Sequence, residues 1–473
     1  MAEVATTSTI TDAGVAGRYI ASSPALPRRI LSACILLGVV ASLVYFSWWV
    51  DRTRLHSPWL LAGLACAVMY VTTQVYGAWY VYLHIEAPAP EPAPPGLAVD
   101  VFVPVYDEAY ELVQRCLTAV VAIRYPHRTY LLDDARHPRF AALAARVGAR
   151  YLTRAGNGGA KAGNINAALA QTGGEFVTIF DVDHVPAPDF LDAILGHFGD
   201  PKVGFVQSWV AFHNYNESLV ARAAAEQGFD FYGPTSMGMH GCGAAPVWGS
   251  HCTFRRSALD SIGGHQVGLA EDLHTSLRLH AAGWRSVFVP SLNARGQVPT
   301  DLSGIAIQHF KWARGVFEMA LEVYPRLVRK LSFSQNIAYL VRLTNYLIGP
   351  VFLLHMLAAI FALVSGNSTA RVEFARYVLY SLPLTASFVL VRHVVLHLWH
   401  LEPDALGFHW RGYALTCALW PVYTLAFVYA LLRFPVSHLA TPKERSARSQ
   451  LPIVIPQLIV IGLLLGGRAR TSS

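Results

Sequence analysis

Long uncharged apolar runs constrain the fold of this chain more than any other feature of its sequence. Residues 30–50, 60–83 and 346–364 contain no charged residue. Residues 378–395 form a fourth run, in which Arg392 is the only charge. Because about 20 apolar residues in a helix cross the hydrocarbon layer of a bilayer, the four runs predict transmembrane helices.

The composition agrees with a membrane protein that also carries a soluble domain. Apolar residues make up 53% of the chain and charged residues 14%, whereas roughly a quarter of an ordinary soluble domain is charged. This balance excludes a purely soluble enzyme and a disordered chain, and six scattered cysteines do not form a disulfide framework. Charged residues and glycines return between residues 88 and 325, which predicts a soluble domain held between membrane segments.

Basic residues predict which side of the membrane this domain occupies. Arg18, Arg28 and Arg29 precede the first run, and basic flanks favour the cytosolic side. Two spans return the chain to the cytosol, so we expect a membrane protein with a cytosolic domain. The predicted division is a cytosolic segment at 1–29, two transmembrane helices at 30–83, the soluble domain at 88–325, an interfacial amphipathic helix at 326–345, two transmembrane helices at 346–397, an apolar helix at 413–434, a loop at 435–450 and a last transmembrane helix at 451–467.

The apolar helix at 413–434 leaves two alternatives open. It is apolar enough to cross, but Lys443 and Arg445 would then lie outside, against the positive-inside tendency. Pro421 also interrupts it. We expect an interfacial helix, with an extra span as the alternative.

The soluble domain begins with alternating strands and helices. Period-two and β-branched patterns predict strands at 98–105, 129–132, 150–152 and 176–180, and helical spacing predicts helices at 111–123, 138–147 and 161–171. This alternation predicts a Rossmann-like, mostly parallel sheet, which binds ligands beyond the carboxyl ends of its strands. Acidic residues occur at those ends, namely Asp107, Glu108, Asp133, Asp134, Asp181 and Asp183.

Asp181 and Asp183 are the candidate metal ligands. They stand one residue apart after the apolar strand, and carboxylates so placed often join Mg²⁺ or Mn²⁺ to substrate phosphates. A solvated turn is the alternative for the same residues. Lys161, in a glycine-rich turn, is placed to contact a diphosphate together with backbone N–H groups.

The sequence gives less support to a dinucleotide, a Walker A nucleotide, zinc or nucleic acid as a ligand. The glycine fingerprint of dinucleotide binding is missing after the first strand, and the turn at 156–163 lacks the Gly-Lys-Ser/Thr of a Walker A motif. His240 with Cys242, and His251 with Cys252, are spaced too closely to chelate zinc well. The net charge of +7 suits lipid headgroups and a phosphate-bearing substrate, and no nucleic-acid-binding motif occurs.

Six segments in a fixed order resemble the family-2 glycosyltransferases, and most closely the cellulose synthase-like, membrane-embedded processive enzymes. They are VPVYDE at 103–108, LLDDA at 131–135, TRAGNGGAKAGNINAAL at 153–169, FDVDHVP at 180–186, AEDLHTSLRLHAAGWRS at 270–286 and QHFKWARG at 308–315. The resemblance implies a GT-A fold that binds a nucleotide sugar with a divalent cation, in a protein of the bacterial inner membrane.

The resemblance also implies roles for individual residues. Asp272 would be the general base, and Asp183 with Asp181 would hold the metal, followed by the family's histidine as His184. The implied nucleotide-sugar ligands are Tyr106, Asp133, Asp134, Arg154, Lys161, Asp181, Gln308, Lys311 and Arg314. The implied acceptor-binding residues are Trp312, Trp248, Gly249 and Ser250. The implied gating loop contains Thr441, Pro442 and Lys443.

The sequence departs from the family at several of these positions. Ala270 stands where a threonine is usual, Lys311 replaces the usual arginine, and Trp248 replaces a cysteine. Lysine is a point charge and cannot make the bidentate contact of arginine. Most of these departures fall on the acceptor and pyrophosphate side, so they bear on the sugar and linkage more than on the reaction.

The sequence therefore predicts a processive inverting glycosyltransferase that uses a UDP-sugar, first of all UDP-glucose, and exports a cellulose-like β-glucan. The alternatives are a transferase that adds one sugar to a lipid and a polymer synthase that uses another UDP- or GDP-sugar. A transporter or receptor with a degenerate domain would lack carboxylates, and none is missing. The expected partners are the UDP-sugar, the growing polysaccharide and the bilayer, with envelope proteins left open.

Overall fold

The computed structural model of the protein describes residues 25–49, 58–366, 373–402, 407–436 and 450–471. Four helices in these ranges are long and apolar enough to cross a membrane: Leu26–Trp49, Leu61–Leu83, Phe333–Ser365 and Phe374–Trp399. Their outer faces carry bare apolar side chains such as Leu36 and Leu43, which are 64% and 66% exposed. Such faces are stable in lipid and unfavourable in water.

The helices in the described ranges are numbered in chain order. They are α1 (Ala25–Trp49), α2 (Pro58–Leu83), α3 (Tyr110–Val121), α4 (Pro138–Val147), α5 (Ala160–Leu169), α6 (Phe190–Leu195), α7 (Leu219–Asp230), α8 (Ser236–Gly241), α9 (Arg256–Ser261), α10 (Glu271–Ala281), α11 (Leu302–Glu318), α12 (Tyr324–Leu327), α13 (Phe333–Thr344), α14 (Ile348–Ser365), α15 (Phe374–Trp399), α16 (Trp410–Ala418), α17 (Trp420–Leu431) and α18 (Leu451–Thr471).

The strands form a seven-stranded and a three-stranded sheet. They are β1 (Val99–Val105), β2 (Arg128–Asp133), β3 (Arg150–Leu152), β4 (Phe176–Ile179), β5 (Val185–Pro186), β6 (Val203–Ser208), β7 (Ala211–Phe212), β8 (Cys252–Arg255), β9 (Arg285–Val289) and β10 (Ala294–Gly296). The larger sheet has the order β3-β2-β1-β4-β8-β6-β9, and its pairs are parallel except where β8 meets β4 and β6. The mostly parallel sheet and the four predicted strands are thus confirmed, as β1, β2, β3 and β4.

Helices cover both faces of the large sheet, as its apolar strands require. Val101 and Val103 of β1 belong to a buried cluster with Phe140 of α4. Phe102, between them, points to the other face and lies in a cluster with Ile165 of α5 and residues of α9 and α10. Alternate side chains of one strand therefore hold two helical layers, which fixes the sheet's carboxyl ends in place.

The membrane helices pack on one another and on the soluble domain. Near one end of the α1–α15 pair, Trp48 of α1 stacks on Tyr380 of α15 with ring centroids 5.0 Å apart. Helix α11 of the domain lies along α17, where Phe317 meets Phe427 edge to face at 5.2 Å. The soluble domain and the apolar helices therefore share an interface through α11.

The predicted segments after residue 325 take specific forms. Helix α13 begins at a capping box formed by Ser332 and Gln335, and only a short turn separates it from α14. The apolar helix expected at 413–434 is a pair, α16 and α17, bent by 44°, with Pro421 in the first turn of α17. The apolar part of α18, Leu451–Leu465, is shorter than the four candidate spans. The membrane sides assigned to these segments stay predictions.

Candidate active site

One large cavity, of about 1450 Å³, lies beyond the carboxyl ends of β1, β2 and β4. Tyr106 and Asp134 line it after β1 and β2, and Asp181 lines it after β4. The same cavity extends to Arg342 of α13 and Tyr423 of α17. The predicted acidic crevice therefore exists, and it reaches the helices of the membrane region.

Three charged side chains meet around Gly249. Nζ of Lys161 lies 2.6 Å from Oδ1 of Asp181 and 2.7 Å from the carbonyl oxygen of Gly249. A Cβ placed on Gly249 would lie 3.5 Å from Lys161 Nζ, 3.6 Å from Oδ2 of Asp272 and 3.9 Å from Oδ2 of Asp181. Gly249 also has a φ of +83°, a conformation that glycine adopts most readily. The backbone thus comes close to all three charges and leaves the space between them open.

Burial changes the acid–base behaviour of this group. Burial raises the pKa of Asp272, although the Leu273 N–H and the Lys161 cation oppose the rise. Burial and the neighbouring Asp272 also raise the pKa of Glu271. Burial acts to lower the pKa of Lys161, but Asp181 and Glu271 outweigh it and raise that pKa. Lys161 therefore stays cationic, while the two carboxyl groups of α10 hold a proton at higher pH than ordinary ones.

Asp183 and His184 occupy the wall next to Asp181. Asp183 is buried, and His184 Nδ1 lies 2.6 Å from Nε2 of His251. His251 Nδ1 is 3.3 Å from the carbonyl oxygen of Trp209, which can only accept, so this nitrogen carries the proton. His251 Nε2 is then an acceptor, and His184 must donate from Nδ1. In the neutral ring of His184 the lone pair is then on Nε2, beside Gly296, where a Cβ would collide with the ring.

These residues fit a divalent cation that is shared with a substrate. Among the described residues, no three His, Cys, Asp or Glu side chains are arranged to hold a metal ion by themselves. Asp181, Asp183 and His184 nevertheless line one wall of the cavity and offer carboxylate oxygens and an imidazole nitrogen. Mg²⁺ and Mn²⁺ commonly use one or two carboxylates plus phosphate oxygens and waters.

The adjacent aspartates of LLDDA differ in position. Asp134 lines the cavity, and Asp133 is fully buried and does not. The Asp133 carboxylate accepts four hydrogen bonds, from the N–H groups of Ala135, Arg136 and His137 and the hydroxyl of Tyr151. The assignment of Asp133 as a nucleotide ligand is therefore corrected, because its oxygens stabilise the loop after β2.

Arg154 likewise does not line the cavity. Its guanidinium binds the Asp134 carboxylate through two contacts of 2.6 and 2.7 Å. It also donates to the carbonyl oxygens of Gly158 and Ala160 in the glycine-rich turn. The structure thus shows Arg154 holding this turn and Asp134 in place, and its contact with the nucleotide stays a prediction.

The three residues of the Trp248–Ser250 turn differ in whether they reach the cavity. Trp248 and Gly249 line the cavity, whereas Ser250 is fully buried. The Ser250 hydroxyl accepts from the N–H of Asp181 at 3.1 Å, and Gln207 donates to its carbonyl oxygen at 2.9 Å. Ser250 therefore fixes the turn and does not reach an acceptor, contrary to the expectation.

Helix α11 brings four predicted residues to the cavity. Gln308, Lys311, Trp312 and Arg314 all line it. Arg314 is mostly buried and pairs with Glu318 at 2.8 Å. The spacing of Gln308, Lys311 and Trp312 places them on one side of the helix, as the resemblance requires. Thr441, Pro442 and Lys443 of the expected gating loop lie outside the described residues.

Sequence reasoning missed three residues of this site. Glu271 lines the cavity beside the expected base, and its place next to Asp272 was the available signal. His251 was weighed only as a zinc ligand, and its contact with His184 joins residues far apart in sequence. Arg342 lines the cavity from α13, and its place as the single charged residue of that amphipathic helix was its signal.

Comparison with known proteins identifies the family and the fold of the chain. Residues 94–315 match the family model described as glycosyltransferase like family 2, and residues 251–401 match the cellulose synthase model. A mannosyltransferase from Pyrobaculum calidifontis, solved with GDP-Man and Mn²⁺, superposes with a TM-score of 0.56 at 18% identity, covering 80% of this chain and 100% of its own. That likeness establishes the fold, which is GT-A.

Fold, site and family models define a membrane-associated GT-A glycosyltransferase domain. Cellulose synthase 1 of Komagataeibacter xylinus is 30% identical, covering 92% of this chain and 29% of its own length. The UDP-forming cellulose synthase catalytic subunit of Pseudomonas fluorescens is 32% identical over 76% of this chain and 51% of its own. The chain belongs to the family-2 glycosyltransferases of the cellulose synthase type, and it spans about half or less of the length of these relatives.

Proposed function

We propose that the protein is a processive inverting glycosyltransferase that transfers glucose from UDP-glucose to the end of a growing β-glucan and passes the polymer across the membrane. The observation that carries the proposal is the grouping of Lys161, Asp181 and Asp272 around Gly249, in a cavity that continues to the membrane helices. The names of the relatives, cellulose synthase and its UDP-forming catalytic subunit, support the polymer and the donor.

Asp272 acts as the general base in this proposal. The acceptor hydroxyl attacks the anomeric carbon while Asp272 takes its proton, and the bond to the nucleoside diphosphate breaks on the opposite side with its electron pair leaving on the phosphate. The raised pKa of Asp272 suits this role because a base is most effective when its pKa lies nearer the operating pH. Transfer in one displacement inverts the anomeric centre and needs no covalent intermediate.

Cationic groups stabilise the departing diphosphate. Lys161 lies at the junction of donor and base, and Lys311 and Arg314 lie along α11, where the neutral amide of Gln308 can donate a hydrogen bond. Asp181 and Asp183 would hold Mg²⁺ or Mn²⁺, which when bound neutralises charge on the diphosphate. The Mn²⁺ bound by the mannosyltransferase of the same fold supports a divalent cation.

Four other residues of the cavity are proposed to contact the nucleoside or the acceptor. Tyr106 and Asp134, at the outer end, would contact the nucleoside, and Trp312 with Trp248 would stack on acceptor sugars. Aromatic faces hold a sugar without strongly directional bonds, so a chain could advance by one unit after each transfer. Thr441 to Lys443 are proposed as the loop that closes the nucleotide site.

The sidedness of the domain is also a proposal. Arg28, at the start of α1, donates to the carbonyl oxygen of Ile85, just after α2, at 3.1 Å. This contact supports a common side for the start of the first span, the end of the second and the catalytic domain. The basic residues before α1 favour the cytosol for that side.

A different nucleotide sugar is the competing proposal. Lys311 and Trp248, both at the cavity surface, replace residues usual in cellulose synthases. The solved mannosyltransferase of the same fold binds GDP-Man, so a donor other than UDP-glucose has a specific precedent.

Inverted membrane vesicles carrying the full chain test the proposed function. They are incubated with a panel of labelled UDP- and GDP-sugars and a divalent cation, and the product is digested with linkage-specific hydrolases. We expect label from UDP-glucose in a polymer that a β-1,4-glucanase degrades, and no product from Asp272→Asn vesicles. Incorporation from another donor alone would overturn the sugar assignment, and full activity of Asp272→Asn would overturn the site.

A further inference from the structure

A series of contacting side chains forms the wall of the cavity where it reaches the helices of the membrane region. Trp312 and His309, both of α11, lie side by side there, with ring centroids 5.1 Å apart. His309 Nδ1 lies 3.0 Å from the hydroxyl oxygen of Tyr423 in α17, and Nε2 of Gln227 lies 3.4 Å from the same oxygen. All four residues line the cavity. His309 therefore lies between Trp312, the proposed platform for the acceptor, and a helix of the membrane region.

These contacts determine which nitrogen of His309 carries the proton. The Thr416 hydroxyl donates to the carbonyl oxygen of Gly412, so it accepts from the Gln227 amide nitrogen at 2.8 Å, and that nitrogen can only donate. Tyr423 is buried, and among the described residues its hydroxyl has no acceptor other than His309 Nδ1. Because a buried hydroxyl without an acceptor is unfavourable, Tyr423 donates to Nδ1. The neutral ring of His309 then carries its own proton on Nε2.

His309 is a neutral hydrogen-bond donor at this wall. Burial and the nearby Arg342 cation lower the pKa of His309 to about 3, so the ring is uncharged near neutral pH. The ring borders the cavity, and no group among the described residues accepts a hydrogen bond from its Nε2. When a bound chain excludes water from this wall, the Nε2–H group needs an acceptor, because a buried donor without one is costly. The bound chain itself can supply that oxygen.

His309 lies in the part of the cavity that the acceptor is proposed to occupy. Arg342 acts electrostatically on both His309 and the base Asp272, which places the two near one another. Trp312 follows His309 by three residues and therefore lies on the same face of α11. Because the rings of His309 and Trp312 are in contact, a sugar ring stacked on Trp312 would bring its hydroxyl groups next to His309.

We propose that His309 donates a hydrogen bond from Nε2 to a hydroxyl oxygen of the acceptor sugar that stacks on Trp312, and that Tyr423 keeps the imidazole in the form that makes this donation. The inference rests on the proposed function for the place of the acceptor and for its uncharged glucan. A bond between neutral groups is directional but modest in strength, so the chain can still be released and advance. His309 would thus select sugars that carry an oxygen at one position, while Trp312 holds the face of the ring.

Acceptors that lack single hydroxyl groups test this inference on the purified full-length protein. They are cellotetraose and its monodeoxy derivatives, modified at C2, C3 or C6 of the terminal or the penultimate unit of the non-reducing end. With UDP-glucose and Mn²⁺, acceptor-dependent UDP release gives the KM for each acceptor. We expect at least one derivative to have a KM about 3- to 10-fold above that of cellotetraose, the range of one neutral hydrogen bond.

Two substitutions of His309 assign this discrimination to its Nε2–H group. In His309→Asn the amide oxygen replaces Nδ1 and can still accept from Tyr423, but nothing replaces the Nε2–H. This variant should raise the KM of cellotetraose about 3- to 10-fold and should no longer distinguish it from one of the discriminated derivatives. In His309→Gln the longer amide can place an N–H group near the position of Nε2, so it should restore part of the discrimination.

A second histidine of the chain provides a matched control. His280 is buried, and its Nδ1 lies 2.6 Å from the hydroxyl of Tyr339, but its Nε2 is already bonded to Ser286 and it does not line the cavity. His280→Asn should therefore keep the full discrimination between acceptors. Tyr423→Phe should weaken it, because Nδ1 then loses its donor and can take the proton from Nε2. Thermal unfolding midpoints near that of the parent protein show that the variants are folded.

Three results would overturn the inference. The parent protein could treat every deoxy derivative like cellotetraose, His309→Asn could retain the discrimination of the parent protein, or His280→Asn could lose it to the same extent as His309→Asn. Sugar transfer persists in all three cases, so the proposed function would stand. Absence of acceptor-dependent UDP release with every acceptor would instead overturn the proposed function, and this inference with it.

Discussion

The two halves of the cavity, which we propose bind the donor and the acceptor, differ in how their charges are arranged. On the donor side, opposite charges are already in contact, with Lys161 against Asp181 at 2.6 Å and Arg154 against Asp134 at 2.6 Å. On the acceptor side, aromatic rings surround the cation of Arg342.

This difference follows from what each half must do. A leaving diphosphate gains negative charge, and charged groups fixed in advance stabilise it without reorganisation. Aromatic rings suit an acceptor chain that moves better than fixed charges do. They hold sugars at many positions with little directional preference. Gly249 lies at the junction of the two halves, where a side chain would enter the space between Lys161, Asp181 and Asp272.

Removing the base should have the largest effect on this arrangement. Asp272→Asn keeps the shape and removes proton acceptance, so we expect kcat to fall by about 100- to 10,000-fold. UDP-glucose binding, measured by calorimetry, should change little because the donor-side pairs remain. Near-normal turnover would contradict the assignment of the base, and lost binding would show that the halves are not separable.

Disturbing the histidine pair should weaken cation binding on the donor side. His251 fixes the Nδ1–H form of His184, so His251→Ala should reduce Mn²⁺ affinity by about 10- to 100-fold in spin-resonance titrations with UDP present. His251→Gln should restore part of it, because its amide oxygen can accept from His184. His280→Ala removes a buried histidine that does not line the cavity, and it should leave Mn²⁺ affinity unchanged.

Removing an aromatic face should affect only the acceptor half. Trp312→Ala should raise the acceptor KM by about 3- to 10-fold, the value of a lost stacking contact, with the UDP-glucose KM unchanged. Trp312→Phe should recover most of the loss. An equal rise in the KM values for the acceptor and for UDP-glucose would show that Trp312 also contacts the donor. The two halves of the cavity would then not be separate.

The carboxyl pair of α10 should produce the smallest effect, a change in pH dependence. The pKa of Asp272 is raised in the folded protein, so the base is lost as pH falls through a value above that of an ordinary aspartate. Glu271 loses its proton after Asp272, near pH 7, because burial and the Asp272 charge raise its pKa. Glu271→Gln should therefore remove an inflection of kcat/KM near pH 7 and leave the acid limb of Asp272 in place. A displaced acid limb would mean that Glu271 is already charged while Asp272 titrates.

The donor half was more predictable from the sequence than the acceptor half. Strand ends and the motifs that follow them are local features, so the sequence alone is enough to place Lys161, Asp181 and Asp183 at one edge of the sheet. Asp133 and Asp134 show the limit of local reasoning, because neighbouring residues after a strand point in different directions and only Asp134 reaches the cavity.

Residues joined by long-range packing escaped prediction. The contact of His184 with His251 depends on β4 pairing with β8, which the sequence pattern does not specify. Ser250 was expected at the acceptor, but the same pairing turns its hydroxyl toward the Asp181 backbone. Arg342 reaches the cavity only because α13 packs beside α11, a contact between helices that no local pattern records.

Product length is the most direct test of the central claim that donor and acceptor halves form one elongating site. Primers in large excess over the purified protein are incubated with labelled UDP-glucose until less than one sugar per primer has been transferred, and product chains are sized by chromatography. A processive enzyme predicts a few long chains beside unused primers. Addition of a single sugar to each primer that reacted would contradict the account.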